Sequence, residues 1–170
     1  MTEPNQSIDA MAETFCISPP SQTDWTERRN VVTRLSAKYY YLDREGRVPG
    51  RFSALERELE RCYCSGAYLA CIAFAQSIVE TLQHKHSGGD RTAMDKFLEY
   101  CEDDVDWLRL RRNDLLHVGR PQNSLNLASY ESDRTNLEVD ARRAIAIVYH
   151  VARAFVKHPA SQLSQGVIIP

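Results

Sequence analysis

Between Asp24 and Phe155 the apolar residues recur three and four positions apart, and no stretch alternates convincingly in the manner of a half-buried strand. One run is Val32, Leu35, Tyr39 and Leu42; the next is Phe52, Leu55, Leu59 and Cys62. A third is Met94, Phe97/Leu98, Cys101, Val105 and Leu108. The last is Leu137, Ala141, Ala144/Ile145, Val148, Val151/Ala152 and Phe155. Each places one apolar stripe along a helix, and a stripe must be buried against another element. The chain is therefore expected to be all-α, an antiparallel helical bundle of about five helices.

Punctuation divides the runs. Asp24 with Glu27, Ser53 with Glu56 and Thr135 with Glu138 have the capping-box spacing and predict three helix starts. The first helix is expected from Asp24 to about Tyr41 and is broken by Arg44-Glu45-Gly46-Arg47-Val48-Pro49-Gly50. The second opens at Ser53, with a kink or a restart at Ser65-Gly66. The third, to about His84, holds Ala67, Ala70, Cys71, Ala73 and Ala75; small side chains permit close approach, so it should be central. Ser87-Gly88-Gly89 ends it. A long fourth helix is expected from about Asp90 to Val118, stopped by Gly119 and Pro121. Residues 1–23 read as a loose, polar arm, 24–158 as the helical domain and 159–170 as a tail.

Composition narrows the classes. With 43% hydrophobic residues, the 170-residue chain can bury a core unaided by disulfides or metal. A formal net charge of -2 gives no overall field for nucleic acid, although 17 of the 21 basic residues are Arg. Cys16, Cys62, Cys64, Cys71 and Cys101 are odd in number and irregular in spacing, unlike a secreted disulfide framework or a zinc site. The opening MTEPNQSIDAMAETF lacks the basic and apolar parts of a signal peptide, and no apolar run is of membrane-spanning length. A cytoplasmic protein without membrane contact is the expectation.

The chemistry gathers at Arg112-Asn113-Asp114-Leu115-Leu116-His117. Arg112 stands where the stripe of the fourth helix calls for an apolar residue. A guanidinium cannot shed its charge, so it must pair internally or face a site or partner. His117 lies in the last turn before Gly119, where free carbonyls favour a proton; it suits general acid–base work or simple C-capping. Asn113 and His117 are four residues apart and share a face, whereas Arg112 and His117 are separated by about 140° around the axis. A second copy of the helix across a two-fold axis would bring all three groups to one cleft. An Arg, an amide and a titratable His with no metal ligand beside them suit a phosphodiester whose nucleophile is a ribose 2′-hydroxyl, so RNA is the favoured substrate and no cofactor is called for. On the preceding helix, Gln76, Glu80 and His84 form a polar line, and Glu80, amid Ile78, Val79 and Leu82, either anchors Arg112 or belongs to a solvated face. The acidic run Glu102-Asp103-Asp104 with Asp106 reads as a solvated face.

The segment WLRLRRNDLLHVG resembles the signature of the HEPN superfamily, in which four to six residues stand between an Arg and a His and the Arg is commonly followed by a polar residue. The upstream stretch ELERCYCSGAYLACIAFAQSIVETL is similar to that family's helical hairpin, and the likeness spans roughly residues 51–157. It implies a homodimer with its site at the interface and a metal-independent endoribonuclease of toxin–antitoxin, antiviral or RNA-processing settings. Arg112 and His117 would then be the catalytic pair, assisted by Asn113 and supported by Glu80, with Arg111 and Arg120 binding substrate. Arg111 also fits the bare spacing. An antitoxin or a nucleotidyltransferase-like protein would be the partner. The other reading is a non-catalytic domain of this type, a scaffold in a defence or toxin–antitoxin complex; the absence of a basic stripe favours it.

Overall fold

A computed structural model describes residues 19–39, 50–88, 90, 92, 95, 97, 99, 101–116, 130 and 132–157. The described residues form helices and turns with no strand. The long helices are α1 (Gln22–Tyr39), α2 (Gly50–Cys64), α3 (Tyr68–Ser87), α4 (Glu102–Leu116) and α5 (Arg134–Lys157). They pack as an all-α bundle around Leu59, Ile72, Ile78, Val79, Leu108, Leu137, Ile145 and Val148, all fully buried. None is long and apolar enough to cross a membrane.

Ser21 caps α1. Its hydroxyl accepts the Asp24 N–H at 3.1 Å and donates to the Asp24 carboxylate at 2.8 Å. The box is thus Ser21/Asp24, a turn ahead of the expected Asp24/Glu27, because Pro19-Pro20 holds the chain out of helix only as far as Ser21. The α2 box is also displaced. The helix already runs from Gly50, so Ser53 lies inside it, and Glu56 is bonded instead to the hydroxyl of Tyr149 on α5.

Ser65-Gly66 is a restart. The Ala67 N–H reaches Cys62 O at 2.9 Å and the Gly66 N–H reaches Tyr63 O at 3.0 Å, the paired bonds of a Schellman ending, with Gly66 at φ 77°. Arg28 of α1 donates to Cys64 O at 3.0 Å and so satisfies another terminal carbonyl of α2. α3 continues to Ser87, one turn past the expected end, and stops at Gly88, left-handed at φ 56°, whose N–H returns to His84 O at 3.0 Å.

α3 is central as its small residues suggested, packing on α2, α4 and α5. Cys71 and Ala75 are fully buried, while Ala70 faces solvent. Small residues on α5 match them: Ala141, Ala144 and Ala152 are fully buried. Near the start of both helices Tyr68 bonds Glu138, and near their ends the His86 and Phe155 rings lie 5.9 Å apart, so α3 and α5 run side by side in the same direction. α4 runs against α5, with Asp104 beside His150 and Arg111 beside Asp140.

The single fourth helix expected from Asp90 to Val118 is not seen. Thr92, Asp95 and Phe97 are helical, Glu99 and Cys101 are turn, and α4 begins at Glu102. The apolar face carries through the break in phase, with Phe97, Cys101, Val105 and Leu108 all buried, so spacing alone could not reveal it. Met94, Leu98, Val118, Gly119 and Pro121 lie outside the described residues, as do most of the expected arm and the expected tail.

Candidate functional site

Arg112 sits one turn beyond Leu108 on the edge of the buried face of α4. Leu108 is fully buried and Leu115 is partly buried against the core, whereas the Arg112 side chain keeps 29% of its surface. Burial therefore gives way to solvent along this stripe at the guanidinium. Arg112 Nη1 donates to Asn113 Oδ1 at 2.9 Å, and Nη2 lies 3.8 Å from Glu80 Oε1 on α3. Gln76, one turn before Glu80, donates from Nε2 to the same Oε1 at 3.0 Å. Three residues singled out from sequence, Arg112, Asn113 and Glu80, thus meet at one α3–α4 junction. Glu80 faces solvent, 53% exposed at its side chain, and stands beside Arg112 as well, so each of its two expected settings holds in part.

His117 and Arg120 lie outside the described residues. Arg111 turns the other way from Arg112, toward α5, where Nη2 and Nε sit 2.6 and 2.7 Å from Asp140 Oδ2. With the two side chains only 28% and 21% exposed, this pair ties α4 to α5. Among the described residues no three His, Cys, Asp or Glu gather as metal ligands.

Two polar clusters escaped the sequence reading. Glu138, expected to cap α5, instead accepts the hydroxyls of Tyr68 at 2.8 Å and Tyr63 at 3.3 Å, and pairs with Arg142. Arg142 Nε also donates to the Tyr63 oxygen at 2.7 Å. Burial works to raise the Glu138 pKa, but the bonds from Tyr68, Arg142 and Tyr63 outweigh it and hold the carboxyl below its usual range. Burial in turn pushes the Tyr63 hydroxyl up to about 12. Glu138 and Arg142 form one side of a polar cleft of about 370 Å³ between α1 and α5, lined also by Glu27, Arg28, Asn30 and Arg34.

The second cluster joins α4 and α5. His150 Nδ1 lies 3.2 Å from Asp104 Oδ2, Arg143 Nη2 lies 3.9 Å from Oδ1, and the Arg143 guanidinium sits 4.1 Å from the centre of the Trp107 ring. Asp104 is therefore a half-exposed interhelical partner, a correction to its reading as solvated face; Asp103 and Asp106 are exposed as expected. Both clusters depend on the register of α5 against its neighbours. The only hint in sequence was that Glu138, Arg142 and Asp104 fall within reach of buried faces.

No family model, no curated protein and no solved structure matches this chain.

Proposed function

We propose that the chain is a metal-independent endoribonuclease of HEPN type that works at Arg112, Asn113 and His117 with support from Glu80. The observation that carries this reading is the state of Arg112. Its guanidinium is partly exposed, is aimed by an amide, and stands off a solvent-facing carboxylate at 3.8 Å rather than being locked into an interior ion pair. Such a group keeps hydrogen-bonding capacity for an incoming phosphate.

In the proposed reaction the His117 imidazole takes the proton of a ribose 2′-hydroxyl. The 2′-oxygen then bonds to phosphorus, the bond from phosphorus to the 5′-oxygen breaks, and that oxygen takes a proton from water, which the His117 imidazolium replaces as it returns to its neutral form. Arg112 stabilises the charge on the non-bridging oxygens and Asn113 orients its neighbours. The products are a 2′,3′-cyclic phosphate and a 5′-hydroxyl. A homodimer is part of the reading, since one straight helix does not aim Arg112 and His117 at one atom. Leu116, 45% exposed on the Arg112 end of α4, offers an apolar contact for the twin. A cytoplasmic setting in a toxin or antiviral system, with an antitoxin or nucleotidyltransferase-like partner, belongs to the same proposal.

One observation favours the non-catalytic alternative, a binding domain in a defence complex. Arg109, Arg111, Arg142 and Arg143 are each engaged by a carboxylate, so these four offer little uncompensated charge to track RNA. The deciding experiment is incubation of the protein with structured and unstructured RNA in EDTA, beside Arg112→Ala and His117→Ala. Cleavage to 2′,3′-cyclic ends, absent in both variants, is the expected outcome. Equal cleavage by all three proteins, or by none, would sink the nuclease reading.

A further inference from the structure

Gln76 is buried, 2% exposed, and its two ends are treated differently. Nε2 donates to Glu80 Oε1 at 3.0 Å. Oε1 is fully buried and meets no donor among the described residues. Its neighbours Ile72, Ala75 and Val79 on α3 are core residues. If position 76 served packing alone, Leu or Met would fill it without stranding a carbonyl away from water. Among the described residues, the one bond the amide makes goes to the carboxylate that faces Arg112.

That bond matters because Glu80 is exposed and would otherwise sample several rotamers. Tethered from a fixed seat, its Oε1 lies 3.0 Å from Gln76 and 3.8 Å from Arg112 Nη2. Among the described residues the guanidinium is thereby aimed by a close acceptor, Asn113, and a distant one, Glu80. A closer carboxylate would compete with a substrate phosphate for the same N–H groups, and an untethered one would let the long side chain swing.

We propose that Gln76 is a positioning residue of the Arg112 site, fixing Glu80 where that carboxylate aims the guanidinium without locking it, so that Nη2 can move onto a phosphodiester oxygen. The move onto phosphate rests on the nuclease reading above; the aiming of Arg112 does not.

The test uses the full chain in two arms. The first measures ¹⁵N relaxation of the Arg112 Nε–H group in wild type, Gln76→Leu, Gln76→Met and Glu80→Ala. Its order parameter is expected to fall in all three variants, and an unchanged value in both Gln76 variants would overturn the proposal. The second measures single-turnover RNA cleavage in EDTA with Arg112→Ala as the blank. Gln76→Leu should lower the rate about tenfold, with half-saturation by RNA little changed, as expected for misaimed groups. In a Glu80→Ala background Gln76→Leu should have no further effect, whereas additive losses would overturn the proposal. A wild type that shows no Arg112-dependent cleavage would refute the nuclease reading, and the relaxation arm would still decide whether Gln76 aims Arg112.

Discussion

Arg112 Nη2 stands 3.8 Å from Glu80 Oε1 across the α3–α4 junction, a longer reach than a hydrogen bond allows. The adjacent Arg111 closes to 2.6 Å on Asp140. Consecutive arginines thus take opposite parts, one fastening α4 to α5 and the other held at the rim. Arg111→Ala strands a mostly buried carboxylate and is expected to destabilise the fold by about 1–2 kcal/mol after allowance for solvent screening. Arg112→Ala should change stability by less than about 0.5 kcal/mol. Urea melts of the two variants check the contrast, and equal losses would mean that Arg112 is a structural residue.

Glu138 gives a pH dependence whose sign follows from its hydrogen bonds. Its folded pKa lies below the unfolded value, so the stability it contributes is present above the unfolded carboxyl pKa of about 4.3 and is lost as pH falls through the folded value. Tyr63→Phe and Tyr68→Phe should each cost about 1 kcal/mol at neutral pH. Glu138→Gln should flatten the acid limb of a stability–pH curve. An unaltered acid limb would show that the network carries none of this dependence.

On the alkaline side, Tyr63 is raised to about 12 by burial. Its contribution is full below the unfolded tyrosine pKa of about 10 and disappears as pH climbs through the folded value. Tyrosinate absorbance should therefore develop late and together with unfolding, and Tyr63→Phe should reduce the alkaline loss of stability.

Gly66 and Gly88 are both left-handed, but their surroundings differ. A Cβ on Gly66 would come within 2.8 Å of Arg134 Nη2 and 3.0 Å of Arg28 Nη1, while a Cβ on Gly88 meets nothing within 4 Å. Gly88→Ala is expected to cost about 1 kcal/mol for the backbone alone. Gly66→Ala should cost more, and part of the excess should return in an Arg134→Ala background. Thermal melts of wild type, the three single variants and the Gly66→Ala/Arg134→Ala double variant measure this.

Burial raises the thiol pKa of Cys64 and Cys101 to about 11 and pushes Cys71 higher still. These three thiols should resist alkylation in the native state, while the half-buried Cys62 reacts first of the four. Mass spectrometry after brief iodoacetamide treatment gives the order, and early labelling of Cys71 would contradict the packing of α3.

The bundle was legible because helical periodicity is local: the spacing of Leu59, Leu108, Leu137 and Val148 says which side of each helix is buried before any partner is known. The turn seen at Glu99 and at Cys101 was hidden because Phe97 and Cys101 keep the stripe in phase across it. Glu56 and Glu138 fitted capping spacing, yet each found a buried tyrosine on another helix, and such long-range pairing outcompetes a local cap. The meeting of Glu80 with Arg112 could be inferred from a carboxylate amid apolar residues on one helix and a charge in an apolar stripe on the next. The roles of Arg111, Asp140, Asp104 and His150 could not, because they depend on where α4 and α5 cross.

The side-by-side course of α3 and α5 has a bearing on how the chain reaches its folded state. Contacts such as Tyr68 with Glu138 join positions 70 residues apart, so an emerging polypeptide leaves the apolar flank of α3 bare until α5 has been synthesised. Truncation before α5 should therefore yield an aggregating product rather than a smaller stable bundle, and assembly of the core must await the last long helix.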